Sequence, residues 1–313
     1  MERIEYQYKR AMVSGATGAV GMALLLELIE RGIATTVLCR RGSARNARIP
    51  DHPLIHKLEC SLSELNELTL PEEEKYDVFF HFAWEGTTGA SRNDMPMQNR
   101  NVAHTLDAVA LAHRLGCHTF IGAGSQAEYG RVEGKLNADT PAFPENGYGI
   151  AKLCAGQMSR VMCDGLGMRH IWVRILSVYG PYDTPGSMVM STVRKLASGE
   201  KPSFTAGEQI WDYLYSGDAA RAMLALATSG RHGHVYCLGS GNPTPLKEYI
   251  VKIRDAVAPD APLGLGEVPY APKQVMYLCA DITDLREDTG FEPKTSFEEG
   301  IRETVAWFME NER

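Results

Sequence analysis

The segment Gly15-Ala16-Thr17-Gly18-Ala19-Val20-Gly21 constrains this chain more than any other, because it sets three glycines at three-residue spacing between two apolar runs. Ala11-Met12-Val13 reads as a short strand, and residues 22–31, closed by Gly32, read as an amphipathic helix. A turn this tight, opening into a helix, needs residues without a Cβ, and it aims main-chain N–H groups and a helix N-terminus at a bound pyrophosphate. A flexible glycine turn with no ligand is the alternative. The flanking strand and helix favour a dinucleotide cradle, with Gly15, Thr17, Gly18, Val20 and Gly21 around it.

Further strands are predicted at 35–39, 77–83, 119–122 and 171–175, alternating with helices at 101–115 and 148–163. Alternation of this kind implies an α/β fold with a doubly wound parallel sheet. After Tyr179-Gly180-Pro181 the pattern loosens, with helices expected at 187–198, 218–228, 246–257 and 297–311. The expected partition is a dinucleotide-binding Rossmann domain over 1–176, with a return segment near 211–238. A smaller substrate-binding domain would take 177–210 and 239–313.

The formal charge of -7 and the lack of a long basic run argue against nucleic acid or an anionic membrane as partner. The opening MERIEYQYKR lacks the apolar core of a signal peptide, and no apolar run approaches the roughly 20 residues of a membrane span. The seven cysteines are scattered without a CxxC pair, so no metal site is expected and a reduced, cytoplasmic protein is the simplest reading. Glu72-Glu73-Glu74 reads as a solvated loop.

A dinucleotide site for NAD usually places a carboxylate at the end of the second strand. Here the chain reads Cys39-Arg40-Arg41-Gly42-Ser43. Two guanidiniums would pair with a 2'-phosphate, which favours NADP over NAD, although both could instead be solvated surface residues.

Tyr148 and Lys152 stand four residues apart on one helical face. A free phenol, with a pKa of about 10, is a poor base, and a nearby cation favours its ionised form. Such a tyrosine can donate a proton to a carbonyl oxygen while hydride reaches the carbon, and Ser125 would supply a second hydrogen bond to that oxygen. An exposed lysine beside a half-buried tyrosine is the bland reading of a lone YxxxK. The glycine turn and Ser125 upstream outweigh it.

With these residues the chain resembles the extended short-chain dehydrogenase/reductase family, the NAD(P)-dependent epimerase/dehydratase group acting on nucleotide sugars. Further marks are His81-Phe82-Ala83, Asn101 opening a helix, Ser125-Gln126-Ala127-Glu128-Tyr129-Gly130, Val178-Tyr179-Gly180-Pro181, and Trp211-Asp212-Tyr213-Leu214-Tyr215 before Asp218. The resemblance implies that Ala83 and Asn101 join the cofactor site, and that the protein forms a homodimer through the helices starting near Asn101 and Tyr148. The family's 4,6-dehydratases place an Asp-Glu pair after the catalytic hydroxyl residue, where this chain has Gln126 and Ala127. GDP-fucose-synthase-like relatives carry a Cys and a His where Ala127 and Tyr182 stand. Many relatives have Arg at the position of Trp211, another in the stretch that reads Pro272-Lys273-Gln274 here, and Asn at Ser177.

Trp84, at the carboxyl end of the fourth strand, either lines the sugar pocket or belongs to an ordinary loop; Ser125, Gln126, Ser177, Trp211 and Lys273 are the other substrate candidates, with Trp211 read either as stacking on a base or sugar or as buried packing. His81 is read as a packed, hydrogen-bonded residue. The expected activity is NADPH-dependent reduction of a nucleotide-linked 4-keto-(6-deoxy) sugar. A C4 epimerase with captive NAD is the first rival, and a non-catalytic NADP-binding sensor is the rival from another class.

Overall fold

The structure, a computed structural model, describes residues 7–71 and 74–312. The expectations for the first six residues and for Glu72 and Glu73 lie outside the described residues. The strands are β1 (Arg10–Ser14), β2 (Ala34–Cys39), β3 (Ile55–Glu59), β4 (Val78–His81), β5 (Thr119–Ser125), β6 (Arg169–Ile175), β7 (Ser177–Tyr179), β8 (Ile210–Trp211), β9 (Tyr213–Tyr215), β10 (His234–Leu238) and β11 (Thr244–Pro245). The helices are α1 (Ala19–Glu30), α2 (Met95–Arg114), α3 (Gly147–Leu166), α4 (Met188–Ala197), α5 (Ser216–Ser229), α6 (Leu246–Val257), α7 (Thr283–Thr289) and α8 (Phe297–Asn311).

Seven strands form one parallel sheet in the order β10-β6-β5-β4-β1-β2-β3, the doubly wound arrangement expected from the sequence. β1 is an interior strand beside the central β4, with Val13 opposite Val37 on one side and Phe80 on the other. Its neighbour β4 is buried along its whole length, which is why Val78-Phe79-Phe80 is continuously apolar rather than alternating. One core forms under α1 and α5, with Leu24, Leu28, Met223 and Leu226 packed on the sheet. A second forms on the opposite face, where Val109 and Ala112 of α2 meet Phe79 and Phe120.

Two helix starts depart from expectation. α1 begins directly after Gly18, so the glycine turn runs straight into helix. α2 begins at Met95, and Asn101 therefore lies inside the helix rather than opening it. Asp94 caps α2 by accepting the Met97 N–H at 3.0 Å, and Pro96 occupies the first turn, where its missing N–H costs nothing. β3, on the sheet edge, was not predicted, because Ile-His-Lys-Leu-Glu mixes exposed and half-buried positions.

A third core lies outside the sheet, where Val189 and Val193 of α4, Ile253 of α6 and Ile301 and Phe308 of α8 pack together. Tyr179, Tyr213 and Tyr249 surround Phe297 at its edge, with ring centroids 4.6 to 5.9 Å from it. Among the described residues no helix is long and apolar enough to cross a membrane.

Candidate active site

In a parallel sheet the loops at the carboxyl ends of the strands share one edge. Here that edge brings together the glycine turn after β1, Arg40 after β2, Trp84 after β4 and Ser125 at the end of β5. A cavity of about 600 Å³ opens there, lined by Gly15, Thr17, Gly18, Arg40, Ala83 and Trp84 among others.

The three glycines are needed for separate reasons. Gly15 has φ +77°, and a Cβ on it would collide with the backbone of Phe82 and Ala83. A Cβ on Gly21 would come within 2.6 Å of the Ala16 Cα, so this glycine lets the helix seat against the turn. A Cβ on Gly18 would meet nothing within 4 Å, because Gly18 faces the open cavity at the N-cap of α1. That free backbone at a helix N-terminus fits a dinucleotide's pyrophosphate. Val20 is half-buried and packs on the core beneath, away from the cavity lining.

Arg40 lines the cavity as expected. Arg41 does not line it: its guanidinium lies 3.7 Å from Glu59 and 3.5 Å from Glu64. A second arginine at the cavity is Arg45, from the short turn Ala44–Arg48, joined by Ser43, Ser61 and Ser63. The sequence reading missed it, although it falls only five residues beyond Arg40.

Asn101 is likewise placed off the cavity wall. Its side chain accepts the Glu85 N–H and donates to the Glu85 carbonyl, both at 2.9 Å, so it fastens the loop after β4 and does not line the cavity. Its neighbours Arg100 and His104 do line it. Gln98 joins the fastening, accepting the Trp84 indole N–H at 2.9 Å and donating to the carbonyls of Gly86 and Ser91.

Asn146 caps α3 by accepting the Gly149 N–H at 2.9 Å, which starts the helix one residue before Tyr148. The Ser125 hydroxyl accepts the Ala127 N–H at 3.2 Å and stands near enough to the Tyr148 phenol to favour its ionised form. Burial pushes the phenol above its ordinary range, opposed by Ser125 and by the Arg92 guanidinium, while Glu128 adds to the rise. The Lys152 ammonium donates to the Ala123 carbonyl at 2.6 Å and lies 3.7 Å from the centroid of the Trp84 ring, a cation–π contact. Burial draws Lys152 down to about 7, with Glu128 pulling the other way. Trp84 thus stands between Lys152 and the cavity that it lines.

Under Ser125 lies a buried charge network that the sequence carried as a motif but without a role. Glu128 accepts the Ser125 N–H at 2.8 Å, the Trp172 indole N–H at 3.1 Å and the Arg174 guanidinium at 2.7 Å, with Glu128 and Arg174 both buried. His81 is buried too, held by Ser14 at 2.8 Å, and burial keeps its imidazole neutral with a pKa drawn down to about 3. That agrees with its reading as a packed residue.

The substrate candidates divide. Trp84 and Ser125 stand at the site, and Gln126 follows Ser125 in a single turn. Ser177 and Trp211 bond each other, indole N–H to hydroxyl, at 2.8 Å. Lys273 is exposed and close enough to Glu145, just ahead of α3, to hold that carboxylate down, though the Arg131 hydrogen bond does more.

The profile of the NAD dependent epimerase/dehydratase family matches residues 11–239. The chain belongs to that family. It is an enzyme of the nicotinamide-dependent epimerase/dehydratase kind, as the sequence resemblance implied. Its sequence is 24% identical over 329 aligned positions to the dTDP-glucose 4,6-dehydratase of Xanthomonas campestris pv. campestris, covering 96% of this chain and 93% of that protein. In fold it is similar to a UDP-N-acetylglucosamine 4-epimerase from Methanobrevibacter ruminantium M1, with a TM-score of 0.87 and 22% identity over 97% of this chain and 99% of that one. RMD from Pseudomonas aeruginosa, solved with NADPH, superposes with a TM-score of 0.82 and 19% identity over 96% of this chain and 99% of that one.

Proposed function

We propose that this enzyme reduces the 4-keto group of a nucleotide-linked deoxy sugar with NADPH. The observation that carries the reading is the meeting of Ser125, Tyr148 and Lys152 beside a glycine-cradled cavity, with Gln126 and Ala127 where an eliminating enzyme needs an acid and a base. Arg40 and Arg45 at the cavity support a 2'-phosphate there, and the family's sugar-nucleotide members support the substrate class.

The glycine turn would hold the pyrophosphate, with Arg40 and Arg45 at the adenosine end. The nicotinamide, when bound, supplies hydride to the carbonyl carbon. Tyr148 gives its proton to the carbonyl oxygen, leaving the electron pair on the phenolate, and is reprotonated from solvent. Ser125 donates to the same oxygen and fixes its position. Lys152 puts positive charge near the phenol and would hold a cofactor ribose. Residues 177–210 and 239–313 would hold the sugar nucleotide as a separate lobe. Exposed Ile150, Met158 and Val161 along α3 support a homodimer packed through that helix.

The second reading, a C4 epimerase with captive NAD, is favoured by the structural likeness to a 4-epimerase over nearly the whole chain. Mass spectrometry of the nucleotide released on denaturing the purified protein, with titrations of NADPH and NADH, separates the two. Exchangeable NADPH bound more tightly than NADH is the expected result. NAD surviving purification would overturn the reductase reading in favour of the epimerase.

A further inference from the structure

Arg92, in the loop between β4 and α2, lies over one face of Tyr148 with its guanidinium carbon 4.6 Å from the ring centroid. It is half-buried, and among the described residues it forms no ion pair. The cation expected to serve the phenol is farther off: the Lys152 ammonium is 5.9 Å from the same centroid and is engaged by Ala123 and by the face of Trp84. The place of Arg92 is set by its neighbours. Asn93 accepts the Gly147 N–H at 3.0 Å, latching the loop to the start of α3, and Gln98 holds the Ser91 carbonyl at 2.9 Å.

We propose that Arg92 is a second positioning residue for proton transfer, holding positive charge against the face of Tyr148 while the phenol gives up its proton. The inference rests on Tyr148 being the proton donor of the reading above. The other groups facing the phenol are Ser125 from β5, Lys152 on the same helix and Glu128 behind Ser125, whose charge opposes that of Arg92. Arginine suits the task because its planar cation stacks on an aromatic face and stays charged at every working pH.

The sign follows from the chemistry. Removing a cation makes the phenolate less favourable, so the midpoint of Tyr148 rises. The alkaline limb of reduction and the acid limb of the reverse alcohol oxidation should both move to higher pH, by about one unit, a tenfold fall in phenolate at fixed pH.

The test is an ultraviolet phenolate titration of Arg92→Gln, Arg92→Lys and the parent protein, each corrected by its Tyr148→Phe counterpart, followed by pH profiles of turnover. Arg92→Gln should raise the midpoint, and Arg92→Lys should restore most of it. An unmoved midpoint in folded Arg92→Gln, with or without lower turnover, would overturn the proposal and leave Arg92 as part of the loop latch alone. The titration needs no substrate. A raised midpoint in a protein that turns over no keto sugar would therefore sustain the role of Arg92 and defeat the reductase reading separately.

Discussion

The carboxyl edge of the sheet and the third core beyond it are built on different terms. At the sheet edge each functional side chain follows a long parallel strand or a capped helix, so its position is fixed by backbone hydrogen bonds before any side chain is chosen. In the third core the strands β7, β8, β9 and β11 are two or three residues long, and order comes from tyrosine and phenylalanine packing. The polar candidates there, Ser177 and Trp211, satisfy each other. The difference is one of construction: the sheet edge is ordered by long ladders of main-chain hydrogen bonds, the third core by side-chain packing.

That contrast can be broken by substitution. The largest effect should come from Glu128→Ala, which strands the Arg174 guanidinium beneath Ser125. Loss of one partner of a buried pair costs about 3–5 kcal/mol, to be read from urea unfolding, and replacing both partners with apolar residues should recover much of it. A loss under 1 kcal/mol would show that water reaches the pair. Next, Tyr148→Phe should leave cofactor affinity intact and cut turnover by ~10²-fold or more, as loss of a general acid does. Unchanged turnover would remove Tyr148 from the chemistry.

A smaller effect is expected at the adenosine end. Arg40→Ala should weaken NADPH by about tenfold relative to NADH, since a charge-assisted bond is worth roughly 1.5–3 kcal/mol. Arg41→Ala should scarcely change that ratio, because exposed ion pairs such as those with Glu59 and Glu64 contribute little. Equal effects at the two positions would erase the distinction that the cavity draws between them. Smallest of all, Ser177→Ala should cost about 1 kcal/mol of stability by leaving the Trp211 indole N–H unmet, with KM for the sugar nucleotide changed only a few-fold. A collapse of kcat in that variant would move the third core into the catalytic machinery.

The sheet was legible in the sequence wherever a strand is buried on both faces. β1, β2, β4, β5 and β6 each carry a short apolar stretch, although β6 also buries Arg174, while β3 at the edge and the two- and three-residue strands carry none long enough to read. Ser125, Tyr148 and Lys152 were readable because the first closes a strand and the other two share a helical face. Arg92 was not, since no spacing rule ties a loop residue to a tyrosine that the fold brings against it. Arg174, the partner of Glu128, lies one strand over, and its pairing appears only when β5 and β6 are set side by side. Arg40 and Arg41 were indistinguishable as neighbours, and only the direction of each side chain separates them. The start of α2 could have been found from Asp94 and Pro96, a cap followed by a first-turn proline.

The central claim is net hydride transfer from an exchangeable cofactor to a keto sugar. The most direct measurement incubates the enzyme with NADPH stereospecifically deuterated at C4 and a nucleotide-linked 4-keto-6-deoxy sugar, and follows the label by mass spectrometry. The account predicts one deuterium on the product's carbinol carbon for each NADPH oxidised, abolished in Tyr148→Phe. No transfer from added cofactor, with C4 inversion of a sugar alcohol by nucleotide that never leaves the protein, would contradict it.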